Sequence, residues 1–165
     1  HDASFFFDDN GKAYMVYGSG AIRELKPDLT GVQEGGLDMQ LFERDSEENS
    51  LLEGSRMIKK DGKYYLTYSG SHYESQDYCV CYAVGDSPLG PFKKYKDNPI
   101  LKGDGKRVFG AGHHCVVTRP DGQMVIVYHT HSSGSSIHPR HVSMDLMRFI
   151  DTPDGPILEC DGPSR

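Results

Sequence analysis

The 165 residues carry 24 acidic against 18 basic side chains, a net charge of -6, so the chain presents no basic face for nucleic-acid phosphates and no such partner is expected. With 19 glycines, 9 prolines, 10 tyrosines and no tryptophan, the composition is turn-rich and globular rather than helical or disordered, and the length is enough to bury a core. No apolar run approaches the length of a membrane-spanning helix, so no membrane partner is expected; lacking a leader or an initiating methionine, the chain reads as mature, processed or cut from something longer, with its compartment open.

Taken in order, residues 3–7 (ASFFF) and 12–17 (KAYMVY) are aromatic and β-branched runs joined through Asp9-Asn10-Gly11. Asn-Gly and Asp-Gly predict hairpins with type I′ turns, whose two central residues need positive φ. The same signal recurs at Asp61-Gly62 and Asp121-Gly122. Weaker strands are expected at 21–26 and 38–43 after the first hairpin, at 78–84 and 91–94 after the second, and at 141–149 and 156–158 after the third. The charged run 45–49 reads as a solvated loop. Helical periodicity is absent. Cys79, Cys81, Cys115 and Cys160 lack the paired spacing of a zinc site, and buried free thiols are expected.

The hairpins belong to a longer repeat. Asp2, Glu53 and His113 each stand nine positions before a turn glycine, and Tyr17, Tyr68 and Tyr128 each stand six after it. Units starting 51 and 60 residues apart, of about four strands each, have the period of a β-propeller. The expected fold is therefore all-β: one partial β-propeller domain over 1–165, with four-stranded antiparallel repeats at about 1–50, 51–110 and 111–165. A blade's first strand lies nearest the axis, so Asp2, Glu53 and His113 are expected to converge. A β-sandwich or a β-helix gives no reason for that repetition. Closed propellers have about four to eight blades, so the chain is expected to be part of a larger propeller or to complete its ring by association. An open wedge leaves two sheet faces bare.

Several long motifs then resemble the C-terminal three of five blades in glycoside hydrolase family 43, propeller enzymes acting on arabinose- and xylose-containing polysaccharides. HDASFFFDDNGKAYMVYG resembles the third-blade motif, with Ala3 where the family has proline. EGSRMIKKDGKYYLTYSGSHYESQDYCVCYAVGDSPLGPF resembles the acid-bearing blade, and NPIL, GAGHHCVV and PDGQMVIVYHTH the blades that follow.

The resemblance implies hydrolysis with inversion, in which one carboxylic acid protonates the leaving oxygen and one carboxylate activates water on the opposite face, about 6.5–9.5 Å away. Glu53 matches the general acid, and Asp2 the third carboxylate that orients it and adjusts its proton affinity. The catalytic base would come from a blade upstream of His1. His113 matches a histidine beside an axial calcium ion, and Arg140 an arginine of the sugar pocket. His131, with His72, Tyr73 and Phe109, lies in or near loops from which that pocket is lined. Against each stands a plainer role: solvated carboxylates for Asp2 and Glu53, a satisfied structural histidine for His113, an interblade ion pair for Arg140. His114 and the Tyr17, Tyr68 and Tyr128 series are expected in the core.

The expected function is an inverting glycosidase of arabinofuranosyl or xylosyl linkages in plant cell-wall polysaccharides, present as a part lacking the base. Its partners would be an oligo- or polysaccharide and a complementary N-terminal segment or a second copy. The alternative is a non-catalytic carbohydrate-binding or self-associating half-propeller module. A retaining fructan-type propeller is disfavoured, because its acid blade reads Glu-Cys where this chain has Glu53-Gly54.

Overall fold

The computed structural model describes residues 1–34 and 52–164, which form three antiparallel sheets, each drawn from one continuous stretch of sequence. The first contains β1 (Ser4–Phe7), β2 (Ala13–Tyr17) and β3 (Ala21–Glu24). The second runs β4 (Glu53–Lys60), β5 (Lys63–Gly70), β6 (Cys79–Gly85) and β7 (Phe92–Lys94), with β8 (Leu101–Lys102) also paired to β6. The third contains β9 (Gly112–Thr118), β10 (Met124–Thr130), β11 (His141–Ile150) and β12 (Ile157–Cys160) in meander order. The strand expected at 38–43 and the loop expected at 45–49 lie outside the described residues.

All three hairpins form, but only one has the expected turn. Between β4 and β5, Lys60 pairs with Lys63, and Asp61 and Gly62 take φ of 51° and 76°, as a two-residue type I′ connection requires. The other two loops are one residue longer and place a single glycine at positive φ. Gly11 N–H donates to Asp8 O at 3.1 Å and Gly122 N–H to Arg119 O at 2.9 Å. This is a type I turn closed by a glycine bulge. In the third hairpin Pro120 favours this outcome, because it lacks the N–H that the residue before a two-residue Asp121-Gly122 turn would donate to Gln123 O. Its fixed φ also suits the first central position of a type I turn, and Arg119 N–H donates to Gln123 O instead, at 2.8 Å.

The second sheet lies between the other two and is buried on both faces. Tyr64, Leu66 and Tyr68 of β5 and Cys79, Cys81 and Ala83 of β6 pack against Phe6, Tyr14, Val16 and Ile22 of the first sheet. The intervening Tyr65, Val80 and Tyr82 pack against Ile126, Tyr128, Met147 and Leu158 of the third. Burying such a side chain stabilises by about 1.5–3 kcal/mol. A one-residue slip would exchange the two sets, so the register is strongly fixed. The fourth strand of this sheet is interrupted between β7 and β8. Asn98 bridges the gap: its amide accepts from Tyr82 N–H at 3.0 Å and donates to Tyr82 O at 2.9 Å, as a strand peptide would. The expectation of one strand at 91–94 missed the second segment.

Among the described residues, no strand covers the outer faces of the flanking sheets. Phe5 and Phe7 are exposed on the first, as are Val117, Val142 and Met144 on the third. No helix among the described residues is long and apolar enough to cross a membrane.

Candidate active site

The residues that lead the three repeats sit where the sheet pairing breaks. Asp2 and His113 have φ of 58° and 50°, and Gly54, directly after Glu53, has φ of 62°. The register slips between Glu53 and Arg56 on β4 and between Val127 and His129 opposite the start of β9. Bulges of this kind re-aim side chains at strand ends, and non-glycine residues at positive φ mark places where the surroundings impose the conformation. Here the result is convergence. His113 Nε2 lies 3.9 Å from Asp2 Oδ1 and its Nδ1 3.7 Å from Glu53 Oε1. The His113 N–H donates to Ser69 Oγ at 2.8 Å, and Ser69 pairs with Glu53 across β4 and β5. Asp2 also meets the ring of His1, Nδ1 to Oδ2 at 2.8 Å.

A second layer stands behind these three. Tyr78, fully buried, donates its hydroxyl to Glu53 Oε1 at 2.6 Å and lies 3.5 Å from His113 Nδ1. Burial, then the bond to Glu53, pushes the Tyr78 hydroxyl far above its ordinary range, so it remains a donor. His129 stacks on Tyr78 with ring centroids 5.5 Å apart, and its Nε2 is 3.5 Å from Arg140 Nη1. Burial, then the charge of Arg140, lowers His129 to about 4, which keeps its ring neutral near pH 7. Arg140, expected in the sugar pocket, thus joins the cluster through His129 and keeps an exposed guanidinium.

Glycine 112 is what lets this layer close, since a Cβ there would overlap the Tyr78 ring. Substituting alanine is expected to displace that ring and break its bond to Glu53. Overpacking of this kind costs about 1–3 kcal/mol. A lower melting temperature for Gly112→Ala, with changed tyrosine fluorescence, checks it.

His131 is not at the surface of the cluster. It is 3% exposed, beneath Gly110, with Nε2 bonded to the carbonyl of Tyr73 at 2.9 Å. That bond lets the ring anchor the 72–75 loop from beneath Gly110. His114 is buried. Its Nε2 meets Thr67 Oγ1 at 2.7 Å, and burial lowers it to about 3. Tyr68 and Tyr128 are core residues and Tyr17 is half-buried. None of the four cysteines is in a disulfide among the described residues; Cys79 and Cys81 are buried and the other two half-buried.

The donor set was tested against the expected calcium ion. Calcium takes about 6–8 oxygen ligands. Around His113 the described residues supply one imidazole, the Asp2 and Glu53 carboxylates and a phenol already committed to Glu53. His1, Asp2 and Glu53 place ligand atoms within 4.8 Å of one another, again a mixed and incomplete set. These residues do not make up a calcium shell, and no chemistry is routed through one.

Residues 1–155 match the family model described as glycosyl hydrolases family 43. A β-D-galactofuranosidase of Aspergillus niger is 31% identical over 153 residues, which cover 90% of this chain and 42% of that protein. The crystal structure of an endo-1,4-β-xylanase from Bacteroides thetaiotaomicron superposes with a TM-score of 0.85 at 32% identity, covering 98% of this chain and 58% of the other. A thermostable family-43 glycoside hydrolase superposes at 0.81 with 33% identity, covering 99% and 58%. The chain therefore spans about half the length of these relatives.

Proposed function

The chain belongs to glycosyl hydrolase family 43, and from that premise we propose that it is part of an inverting glycosidase of arabinofuranosyl or xylosyl linkages in plant cell-wall polysaccharides. The observation that carries this reading is the convergence of Asp2 and Glu53 on His113 from three separate repeats. Glu53 would be the general acid. Tyr78 occupies its Oε1, and the proton on Oε2 would pass to the leaving oxygen as the glycosidic carbon–oxygen bond breaks. Asp2, with a carboxylate oxygen within 4.8 Å of Glu53, would orient the acid and adjust its proton affinity. The exposed guanidinium of Arg140 is suited to sugar hydroxyls.

A water attacking from the opposite face needs a carboxylate base about 6.5–9.5 Å from the acid. In this reading the base comes from sequence outside these 165 residues. The part of each relative left unmatched supports it, as do the bare outer faces carrying Phe5 and Phe7 on one side and Val142 and Met144 on the other, which further propeller blades would cover.

Hydrolysis by the full-length protein should release the sugar with inverted anomeric configuration. Proton NMR of fresh product from aryl β-xylosides, α-arabinofuranosides and β-galactofuranosides checks both configuration and sugar. A retained configuration would overturn the mechanism.

The bare sheet faces also favour a second reading, a self-associating carbohydrate-binding module. Sizing and assay of the 165-residue chain separate the two. An active monomer sinks the second reading, and an inactive dimer that binds xylo- or arabino-oligosaccharides supports it.

A further inference from the structure

We propose that Tyr78 is a positioning residue that holds the carboxyl group of Glu53 for proton donation and steadies it as the proton leaves. The inference rests on the reading of Glu53 as the acid and extends it to a residue outside the repeated motif.

The geometry points there because Tyr78 has little freedom of its own. Its side chain is fully buried, its ring is stacked on His129 at an interplanar angle of 17°, and its edge fills the space that a Cβ at Gly112 would need. Its hydroxyl lies 2.6 Å from Glu53 Oε1. A glutamate side chain is flexible, and fixing it costs up to about 2 kcal/mol of rotamer freedom. A clamped donor on one oxygen supplies that order before the substrate arrives.

The bond also changes with the reaction. While Glu53 carries its proton on Oε2, Oε1 is a neutral carbonyl oxygen accepting from Tyr78. As the proton passes from Oε2 to the leaving oxygen, that oxygen takes the electron pair of the breaking glycosidic bond, and Glu53 becomes a carboxylate. The Tyr78 bond is then charge-assisted, and such bonds are about twice as strong as neutral ones. An interaction that strengthens toward the transition state raises kcat rather than binding. Tyr78 should therefore matter most where the leaving group most needs a proton.

Tyr78→Phe in the full-length protein removes the hydroxyl and keeps the ring on His129 and Gly112. Its kcat on an oligosaccharide or an unsubstituted phenyl glycoside should fall about 10- to 100-fold, the worth of a bond to a charged group. Its KM should stay unchanged. The rate on a dinitrophenyl glycoside, which departs without a proton, should be retained, and that retained rate also reports a folded enzyme. An equal loss on every leaving group, or no loss on any, overturns the proposal. Glu53→Gln measured alongside separates the two layers. Leaving-group dependence in Glu53→Gln without it in Tyr78→Phe overturns this inference alone. Its absence from Glu53→Gln overturns the acid assignment and this inference with it.

Discussion

Glu53→Gln in the full-length protein is expected to lose kcat by about 10²- to 10⁴-fold on natural linkages, the usual contribution of a general acid. The amide keeps the size of the side chain, and its Oε1 still accepts from Tyr78, whose hydroxyl is 2.6 Å away in the parent. What disappears is the acidic proton. KM should therefore change little, since the loss falls on an interaction made only as the bond breaks. The residual rate should depend steeply on the leaving group. A Glu53→Gln variant that hydrolyses an aryl arabinoside or xyloside at the parent rate would show that the acid lies elsewhere. Asp2→Asn offers a useful contrast. Asp2 Oδ1 sits 3.9 Å from His113, and an Asp2 carboxylate oxygen lies within 4.8 Å of Glu53, so its loss perturbs the acid's surroundings without removing the proton.

The spacing of the repeat made the three leading residues legible, because each occupies one place relative to a turn glycine. The flanking apolar alternation and the doubly buried run KYYLTYSG of β5 likewise marked the sheets. The second layer was harder to read. Tyr78 opens no repeat, and its role depends on the close approach of Gly112, a contact 34 positions along the chain that no local pattern encodes. His129 had a signal that went unused. The residue after each repeat's tyrosine is Gly18, Ser69 and His129, and two of these three touch the cluster, Ser69 through the His113 amide and His129 through Tyr78. The burial of His131 is a related case. Position in a loop-flanking stretch does not say whether a side chain faces out, and Gly110 leaves room for it underneath. The longer turn of the third hairpin was legible in the sequence, since Pro120 has no N–H to close a two-residue Asp121-Gly122 loop.

The joint between the first and second sheets carries the largest expected stability effect. Asp8, its side chain inaccessible to solvent, receives Lys59 Nζ at 2.6 Å and the Tyr64 hydroxyl at 2.8 Å, while Lys59 also pairs with the exposed Asp9. Burial works to raise the Asp8 carboxyl, but the Lys59 and Tyr64 bonds outweigh it and hold it below its ordinary value. Lys59→Met should lower stability, because the solvent-inaccessible Asp8 carboxylate loses its counter-charge. For a chain of this size each kcal/mol shifts the melting temperature by about 2–4 °C. The pH dependence identifies the cause. In the parent the folded pKa lies below the unfolded value of about 3.9. The stabilisation is therefore fully present above that pH and is lost as pH falls through the folded value. In Lys59→Met the largest of the bonds opposing burial is gone while the Tyr64 hydroxyl and the Asp9 N–H remain, so the folded pKa moves up and the stabilisation present near pH 7 shrinks. The deficit should thus be widest near pH 7 and narrow below about pH 4. Pairing Lys59→Met with Asp8→Leu should recover most of the loss, since no unpaired charge is then buried. Urea unfolding of the four proteins at pH 7 and at low pH tests this. A Lys59→Met midpoint equal to the parent's at pH 7 would show that the pair contributes nothing to holding the two sheets together.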